Sequence, residues 1–173
     1  ALIKRWRQSG VNGFTCFAPA NGEWPDRYPV FLRTIAAHRG VLSELLPDQA
    51  AARAALAGAM AQGHPISDLL LVEYAAQPHP ETGTFQKHAA FRVGGRVIRA
   101  NTVNDTSWAA KIGVHHGASD AQYRAERAEM DAYPHVFFVE RAFDVAGMDF
   151  GRIDFGIVDG RPQAYEINTN PMM

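Results

Sequence analysis

The sequence predicts an α+β fold built from antiparallel hairpins. Two pairs of strand-forming segments are each separated by a two-residue turn signal, Gly94-Gly95 in one pair and Asp159-Gly160 in the other. Two further apolar runs, YPVFLRT and DLLLVEY, have the length of buried strands. Helical segments lie between these elements without the regular β-α-β alternation of a doubly wound sheet, so we expect mostly antiparallel sheets.

The first half of the chain predicts two helices and two strands. Residues 1–8 form a short helix, and residues 28–34 and 68–74 form interior strands. Between these strands an alanine-rich helix begins after Asp48 and ends at Gly63. Asp48 suits an N-cap because its carboxylate accepts a first-turn N–H, and glycine suits the helix end because it tolerates left-handed backbone angles.

The second half predicts two hairpins with two helices between them. Ser119 and Gln122 form a capping box, which starts a helix running to about Ala132. The next helix begins near Pro134 and ends at Gly147. Its apolar stripe consists of Val136, Val139, Phe143 and Ala146. The strand segments of the hairpins are 85–93 with 96–100 and 150–158 with 163–168.

Composition excludes several classes of protein. The chain has 173 residues, of which 47% are hydrophobic and 20% charged, as in an ordinary globular protein. A net charge of -1 lacks the basic footprint of a nucleic-acid binder, and no run of about 18 apolar residues could span a membrane. The single cysteine, Cys16, excludes a disulfide framework and is compatible with a reducing cytoplasm. We expect a cytoplasmic protein, of which this chain is a fragment.

Oxygen-bearing side chains recur near the end of the chain, in the stretch AYEINTNP. Glu166, Asn168 and Asn170 are two residues apart, which stacks them on one face of a strand. Asp154 lies on the preceding strand of the same hairpin. Mg²⁺ prefers such oxygens, and carboxylates this close repel each other unless a cation lies between them. The pattern predicts a metal site; the alternative is a solvated rim on an edge strand.

The predicted metal site depends on the register of the hairpin. Side chains alternate along a strand, so a regular two-residue turn at Asp159-Gly160 would put Asp154 on the face opposite Glu166. The side chains share a face if the loop holds an odd number of residues or if a bulge shifts the register. A three-residue loop with Gly160 in the left-handed region is the arrangement we expect.

The segment GRIDFGIVDGRPQAYEINTNP resembles the C-terminal metal-binding signature of the ATP-grasp superfamily. In that signature an R-x-D-F strand is followed by a hairpin and an E-x-N-x-x-P strand, as in D-alanine–D-alanine ligases, glutathione synthetases and ribosomal-protein glutamate ligases. The matching positions are Arg152, Asp154, Phe155, Glu166, Asn168, Thr169 and Pro171. The resemblance extends from about Pro19 to Pro171. It implies the ATP-grasp fold, in which two small α+β subdomains with mostly antiparallel sheets flank a nucleotide cleft.

The resemblance also implies roles for the residues of the signature. Asp154, Glu166 and Asn168 would be ligands of Mg²⁺ or Mn²⁺ that bridges the phosphates of ATP. Arg152 would be catalytic, facing the transferred phosphoryl group or the acylphosphate.

The resemblance further implies a set of ATP contacts. Glu73 would lie near the adenine amino group, with backbone groups of Tyr74 and Ala75 as donor and acceptor. Arg33 stands where the family usually has a lysine on the phosphates, which keeps the cation but changes its geometry. The remaining cations implied at the ATP site are Lys87, Arg92 and Lys111.

The resemblance implies three segments of chain. Residues 1–18 would be a helix and linker left from an N-terminal substrate domain, residues 19–76 the small ATP-grasp subdomain, and residues 77–173 the large one with the metal-binding hairpin. The loop after the first strand keeps only Gly40 where many members are glycine-rich.

The function implied is an ATP- and Mg²⁺-dependent ligase that joins a carboxylate to an amine or thiol through an acylphosphate. Small-molecule or peptide carboxylates and amines would be its substrates, with no nucleic acid and no membrane as partners. The alternative is a nucleotide-binding module of a larger protein that has no chemistry of its own.

Overall fold

The fold is described from a computed structural model over residues 1–36, 40–110, 113–114, 117–129 and 132–171. In these ranges the chain has the predicted α+β fold. In chain order the helices are α1 (Leu2–Gln8), α2 (Gln49–Ala61), α3 (Asp120–Ala128) and α4 (Val136–Ala146). The strands are β1 (Cys16–Phe17), β2 (Val30–Thr34), β3 (Leu69–Glu73), β4 (Phe85–Val93), β5 (Arg96–Arg99), β6 (Val103–Asp105), β7 (Phe150–Val158) and β8 (Arg161–Asn168).

The described residues divide into two compact units. The first consists of Phe14–Tyr74 together with Ala1 and Ile3. The second consists of Lys4–Gly13, Leu2 and the described residues from Ala75 onward. Helix α1 is therefore grouped mainly with the second unit, although the sequence assigns it to a separate leading segment.

The first unit is a three-stranded antiparallel sheet covered by α2. Its strand order is β1-β3-β2, and all five residues of the central strand β3 are buried, which explains the unbroken apolar run LLLV. Leu32 of β2 and Leu56 of α2 belong to the same core. The N-cap prediction is confirmed because Asp48 Oδ1 accepts a hydrogen bond from the N–H of Ala51 at 2.8 Å.

The second unit is a five-stranded antiparallel sheet with α4 packed against one face. The strand order is β5-β4-β7-β8, and β6 pairs with β4. Val139, Ala142 and Phe143 of α4 are buried. Trp6 of α1 is also fully buried, and its Nε1–H donates to the carbonyl of Ala142 at 2.9 Å, so α1 and α4 are joined.

The capping-box prediction for α3 is confirmed. Ser119 Oγ accepts the N–H of Gln122 at 3.2 Å, and Gln122 Oε1 accepts the N–H of Ser119 at 2.7 Å. The helix ends at Ala128, earlier than the predicted end near Ala132, and residues 130–131 lie outside the described part of the chain.

Two strands differ from the sequence prediction. Residues 101–118, for which the sequence predicts no helix or strand, contain β6, which pairs with Phe85–Lys87 of β4. The two-residue strand β1 pairs with β3. Such short strands show no periodicity of their own, because their partners define them. None of the described helices combines the length and the apolar character needed to cross a lipid bilayer.

Candidate functional site

The β7–β8 hairpin turns in two residues. Asp159 and Gly160 have φ angles of 50° and 73°, and Val158 pairs directly with Arg161. Both turn residues lie in the left-handed region, as in the two-residue turns whose twist matches that of the flanking strands. The three-residue loop expected from the sequence is therefore wrong.

A β-bulge on β8 restores the shared face that the two-residue turn alone would prevent. Phe155 pairs with Ala164, whereas Asp154 pairs with Glu166, so Tyr165 is the extra residue on β8. This is the bulge alternative that the register argument left open. Because directly opposed residues project to the same side of a sheet, Asp154 and Glu166 lie on one face.

Gly156 makes room for the side chain of the bulged residue. A Cβ atom added at Gly156 would lie 2.1 Å from the hydroxyl oxygen of Tyr165. That hydroxyl donates to the carbonyl of Ala75 at 2.8 Å. Gly156 and Tyr165 belong to no motif that the sequence predicts. The available signal was that a two-residue turn alone would put Asp154 and Glu166 on opposite faces.

Four residues of the signature share one face of the sheet. Arg152 opposes Asn168, and Asp154 opposes Glu166 in the adjacent row. We call this side of the sheet the Asp154 face. Lys87 of β4 lies on it as well, because its Nζ is 3.5 Å from Asp154 Oδ2.

Asp154 is the buried centre of this group. Its side chain is only 4% exposed, and Arg152 Nε donates to its Oδ1 at 2.9 Å. With Lys87 on the second oxygen, one carboxylate is paired with two cations. A buried carboxylate needs such partners, since an unpaired charge in a site of low polarity is costly.

The donor set on the Asp154 face fits a hard divalent cation. Asp154 and Glu166 contribute opposed carboxylates, and Asn168 contributes a carboxamide oxygen that accepts the N–H of Asn170 at 2.9 Å. Carboxylate and amide oxygens have more than one lone pair, so these hydrogen bonds leave capacity for a metal.

Among the described residues, no group of three or more His, Cys, Asp and Glu side chains could hold a metal ion. The predicted site is outside that class because Asn168 is its third ligand.

Arg92 lies on the opposite face of the sheet. Its Nη1 is 2.5 Å from Asp144 Oδ1 and donates to the carbonyl of Glu140 at 3.1 Å, both on α4. Alternation along β4 separates it from Lys87, five residues earlier. The structure therefore does not bring Arg92 together with Asp154, in contrast to its predicted place beside Lys87 at the ATP site.

Glu73 in the first unit is held by partners of its own. Its side chain is 5% exposed, and its Oε2 accepts the N–H of Thr15 at 2.8 Å. Arg27 binds the same carboxylate through Nε and Nη2 at 2.9 and 2.5 Å, and this hydrogen bond is the main reason that the pKa of Arg27 is raised. The carboxylate thus joins β3 to the segments that precede β1 and β2.

The backbone groups predicted to contact adenine are also hydrogen-bonded. The N–H of Tyr74 donates to the carbonyl of Pro29 at 3.0 Å. Because an N–H has a single proton, this hydrogen bond differs from the predicted role of Tyr74 as a donor to a ligand. The carbonyl of Ala75 accepts from Tyr165, with a second lone pair left over.

Arg33, a predicted phosphate contact, is a half-buried residue of β2 opposite Leu70. Lys111 lies outside the described residues.

Comparison with known proteins identifies the fold. No family model matches the chain, and no curated protein sequence matches it. Solved structures do match over nearly its whole length. D-alanine–D-alanine ligase from Bacillus anthracis, complexed with ATP, is 13% identical with a TM-score of 0.53; the match covers 98% of this chain and 53% of the ligase.

Two further structures give the same result. L-amino acid ligase from Bacillus licheniformis is 15% identical with a TM-score of 0.52, over 98% of this chain and 39% of that one. A RimK domain protein ATP-grasp from Sphaerobacter thermophilus is 14% identical with a TM-score of 0.52, over 99% and 57%. The chain therefore has the ATP-grasp fold, and it spans between about two fifths and three fifths of the length of these structures.

Proposed function

We propose that this chain is the ATP-binding part of an ATP- and Mg²⁺-dependent ligase that joins a carboxylate to an amine or thiol through an acylphosphate. The observation that carries the proposal is the bulge at Tyr165, which aligns Asp154 with Glu166 and Arg152 with Asn168 on one face. A solvated rim would not require a buried carboxylate between two cations. The ligases of the same fold support the reaction class.

Each residue on the Asp154 face has a part in the proposed reaction. Asp154, Glu166 and Asn168 would hold Mg²⁺, which when bound would offset the negative charge of the phosphates. Arg152 would stabilise charge on the transferred phosphoryl group, because its guanidinium lies at the edge of the metal ligands. Lys87 would contact a phosphate on the other side of Asp154. Arg33 stays a predicted phosphate contact.

The proposed reaction has two steps. An oxygen of the substrate carboxylate attacks the γ-phosphorus of ATP, the bond from that phosphorus to the bridging oxygen breaks, and ADP leaves. The amine or thiol then attacks the acyl carbon, phosphate leaves with the bonding electrons, and the proton of the nucleophile passes to solvent. Positioning and charge neutralisation suffice for the first step, so no general acid is needed.

Replacing either carboxylate with its amide tests the proposal. We expect Asp154→Asn and Glu166→Gln each to reduce Mg²⁺-dependent ADP release, measured with ATP and a panel of carboxylates and amines, by at least about 100-fold. The reason is that each change removes a charged metal ligand at nearly constant volume. The matched control is Asp144→Asn, which removes an acid paired with Arg92 on the opposite face. Mg²⁺-dependent ATP consumption retained in both site variants would contradict the assignment.

A nucleotide-binding module without turnover is the second candidate. The observation that favours it is the pairing of Asp154 with both Lys87 and Arg152, since this carboxylate is balanced without a metal. The loop after β2, which has only Gly40, points the same way. Nucleotide binding without ADP release, across the whole panel of carboxylates, would favour the module over the ligase.

A further inference from the structure

An apolar surface adjoins Arg152 on the Asp154 face. Phe91 of β4 directly opposes Arg152 of β7, and Ile98 of β5 opposes Phe91 on its other side. In the next row, two residues further along β4, Val93 opposes Phe150 of β7. We call these four residues the apolar patch. They are Phe91, Ile98, Val93 and Phe150.

The apolar patch is open to solvent although it consists of large hydrophobic side chains. Val93, Ile98 and Phe150 are 47%, 52% and 50% exposed, and Phe91 is half-buried. The solvent side of an antiparallel sheet normally alternates to polar residues. A contiguous exposed apolar surface is typical of a binding site, in contrast to scattered single hydrophobic residues.

The spacing of the patch from Arg152 matches the size of an amino-acid side chain. Opposed Cβ atoms are about 5 Å apart. Successive residues on the same face of a strand are about 7 Å apart. A molecule whose carboxylate lies beside Arg152 would therefore place its side chain over Phe91 and the row beyond it.

Charge limits which side chain would bind there. Arg96 is exposed and opposes Val93 in the outer row, and Arg152 lies in the adjacent row. A cationic side chain over the patch would approach both guanidinium groups. A polar neutral or anionic side chain would lose water without a hydrogen-bonding partner among the four apolar residues. Neutral aliphatic and aromatic side chains have neither cost.

We infer that the apolar patch binds the side chain of the carboxylate substrate, so that the site selects carboxylates that carry an aliphatic or aromatic side chain. This inference rests on the proposed function, in which Arg152 faces the acylphosphate. It goes further because it assigns Phe91, Val93, Ile98 and Phe150 as specificity-determining residues.

The test combines a binding measurement with turnover. The chain is labelled with ¹³C at its isoleucine and valine methyl groups and titrated, with Mg²⁺ and a non-hydrolysable ATP analogue, with leucine, phenylalanine, serine and lysine. We expect leucine and phenylalanine to shift the methyl signals of Val93 and Ile98 at concentrations at which serine and lysine leave them unchanged. ADP release is measured in parallel with ATP and the same amino acids.

Variants make the test specific to the apolar patch. The double variant Val93→Ser with Phe150→Ser should raise the half-saturating concentration of leucine by at least roughly tenfold, the scale of lost apolar contacts in a specificity pocket. Both positions are about half exposed, so the fold should persist. The control is Phe137→Ser, which removes an 84% exposed phenylalanine from α4 and should change nothing.

The outcomes separate this inference from the proposed function. Turnover with no preference for apolar amino acids, or with no effect of the double variant, would overturn the inference alone. Methyl shifts with leucine but no ADP release would uphold the patch and contradict the ligase. A change from dimer to monomer in the double variant, with no effect on leucine binding, would show that the patch joins two copies of the chain, and would overturn the inference.

Discussion

At Tyr165, strand β8 holds one residue more than its partner, and that residue determines which side chains meet. If β8 continued in regular register without the bulge, Asp154 would oppose Tyr165, and Glu166 would project to the face occupied by Ile153. Gly156 leaves the space that the tyrosine ring needs. The composition of the site therefore depends on one inserted residue and one missing Cβ.

Gly151 is a second residue at which the backbone requires glycine. Its φ is 144°, and an added Cβ would lie 2.9 Å from the backbone oxygen of Asn168. We expect Gly151→Ala to lower the free energy of unfolding by about 1–3 kcal/mol, because the substitution is strained in both respects. The measurement is urea denaturation followed by circular dichroism, with hydrogen exchange of the β7 amides as a local probe.

The control for this prediction is the same substitution in a helix. Gly58 lies inside α2 with no atom within 4 Å of an added Cβ. Gly58→Ala should therefore raise the stability by roughly 0.5–1 kcal/mol, because alanine loses less backbone entropy on folding. An unchanged or higher stability for Gly151→Ala would contradict the account of β7.

At the scale of elements, a histidine cluster lies on the opposite side of the sheet from Asp154. His88 of β4 stacks on Phe155 with ring centroids 5.4 Å apart. His135, at the start of α4, is 6.0 Å from His88 and makes an edge contact of 5.5 Å with Tyr133. These aromatic contacts connect the sheet to α4 directly behind the bulge.

A charged network connects α3 to the same region. Glu126 of α3 accepts hydrogen bonds from Arg99 of β5 at 2.8 Å and from the N–H of Thr102 at 3.0 Å. Thr102 Oγ1 in turn lies 3.3 Å from His88 Nδ1. Helix α3 has no buried residue of its own, so polar contacts rather than an apolar face hold it here.

The histidine cluster predicts a loss of stability in acid. Burial has the largest effect on the pKa of His88, which it lowers. His135 and Arg99 lower this pKa by smaller amounts, and Glu126 acts in the opposite direction. Together these effects lower the pKa from 6.5 to about 4. Between these values the unfolded chain binds a proton that the folded chain does not. Stability should therefore fall as the pH drops from 6.5 to 4, by about 3 kcal/mol, with no further loss from this group below pH 4.

The measurement is the ring-proton NMR titration of His88 alongside urea unfolding at each pH. Burial also lowers the pKa of His135, so that residue contributes to the loss in the same direction. The variant His88→Leu keeps an apolar contact on Phe155 and should lack the part of the pH dependence that belongs to His88. A titration of His88 near 6.5 would contradict this account.

At the scale of the whole molecule, nucleotide binding should appear as added stability. A ligand that binds only the folded chain raises the free energy of unfolding by about 2.7 kcal/mol at a concentration 100 times its dissociation constant. We expect thermal unfolding to shift upward with ATP and Mg²⁺ together and less with ATP alone. Glu166→Gln should reduce the contribution of Mg²⁺, and the absence of any shift with the wild-type chain would contradict nucleotide binding.

Local patterns predicted much of the fold. The Gly94-Gly95 and Asp159-Gly160 turns, the Asp48 cap and the Ser119 capping box all depend on residues close together in sequence. The fold class followed from the order of these elements. Strands β1 and β6 were missed because only pairing with a distant strand defines a segment of two or three residues.

It was predictable from the sequence that the four signature residues lie together, whereas the contacts around them were not predictable. The R-x-D-F and E-x-N spacings identified Arg152, Asp154, Glu166 and Asn168, which the structure places on one face. Arg92 was expected beside Lys87, yet α4 supplies Asp144 on the other side of β4. The partners of Glu73 and Tyr74 were equally invisible, because they lie on segments distant in sequence.

The helices and strands, their turns and caps, and the residue types available for a metal and a phosphate follow from the sequence, because each depends on interactions within a few residues. Contacts between distant segments set which of those residues share a face, which cations pair with which acids, and where an apolar surface meets Arg152. The physical reason is that the side-chain period of a strand is two: a shift of one residue reverses every side chain, and such a shift is decided by pairing between distant strands.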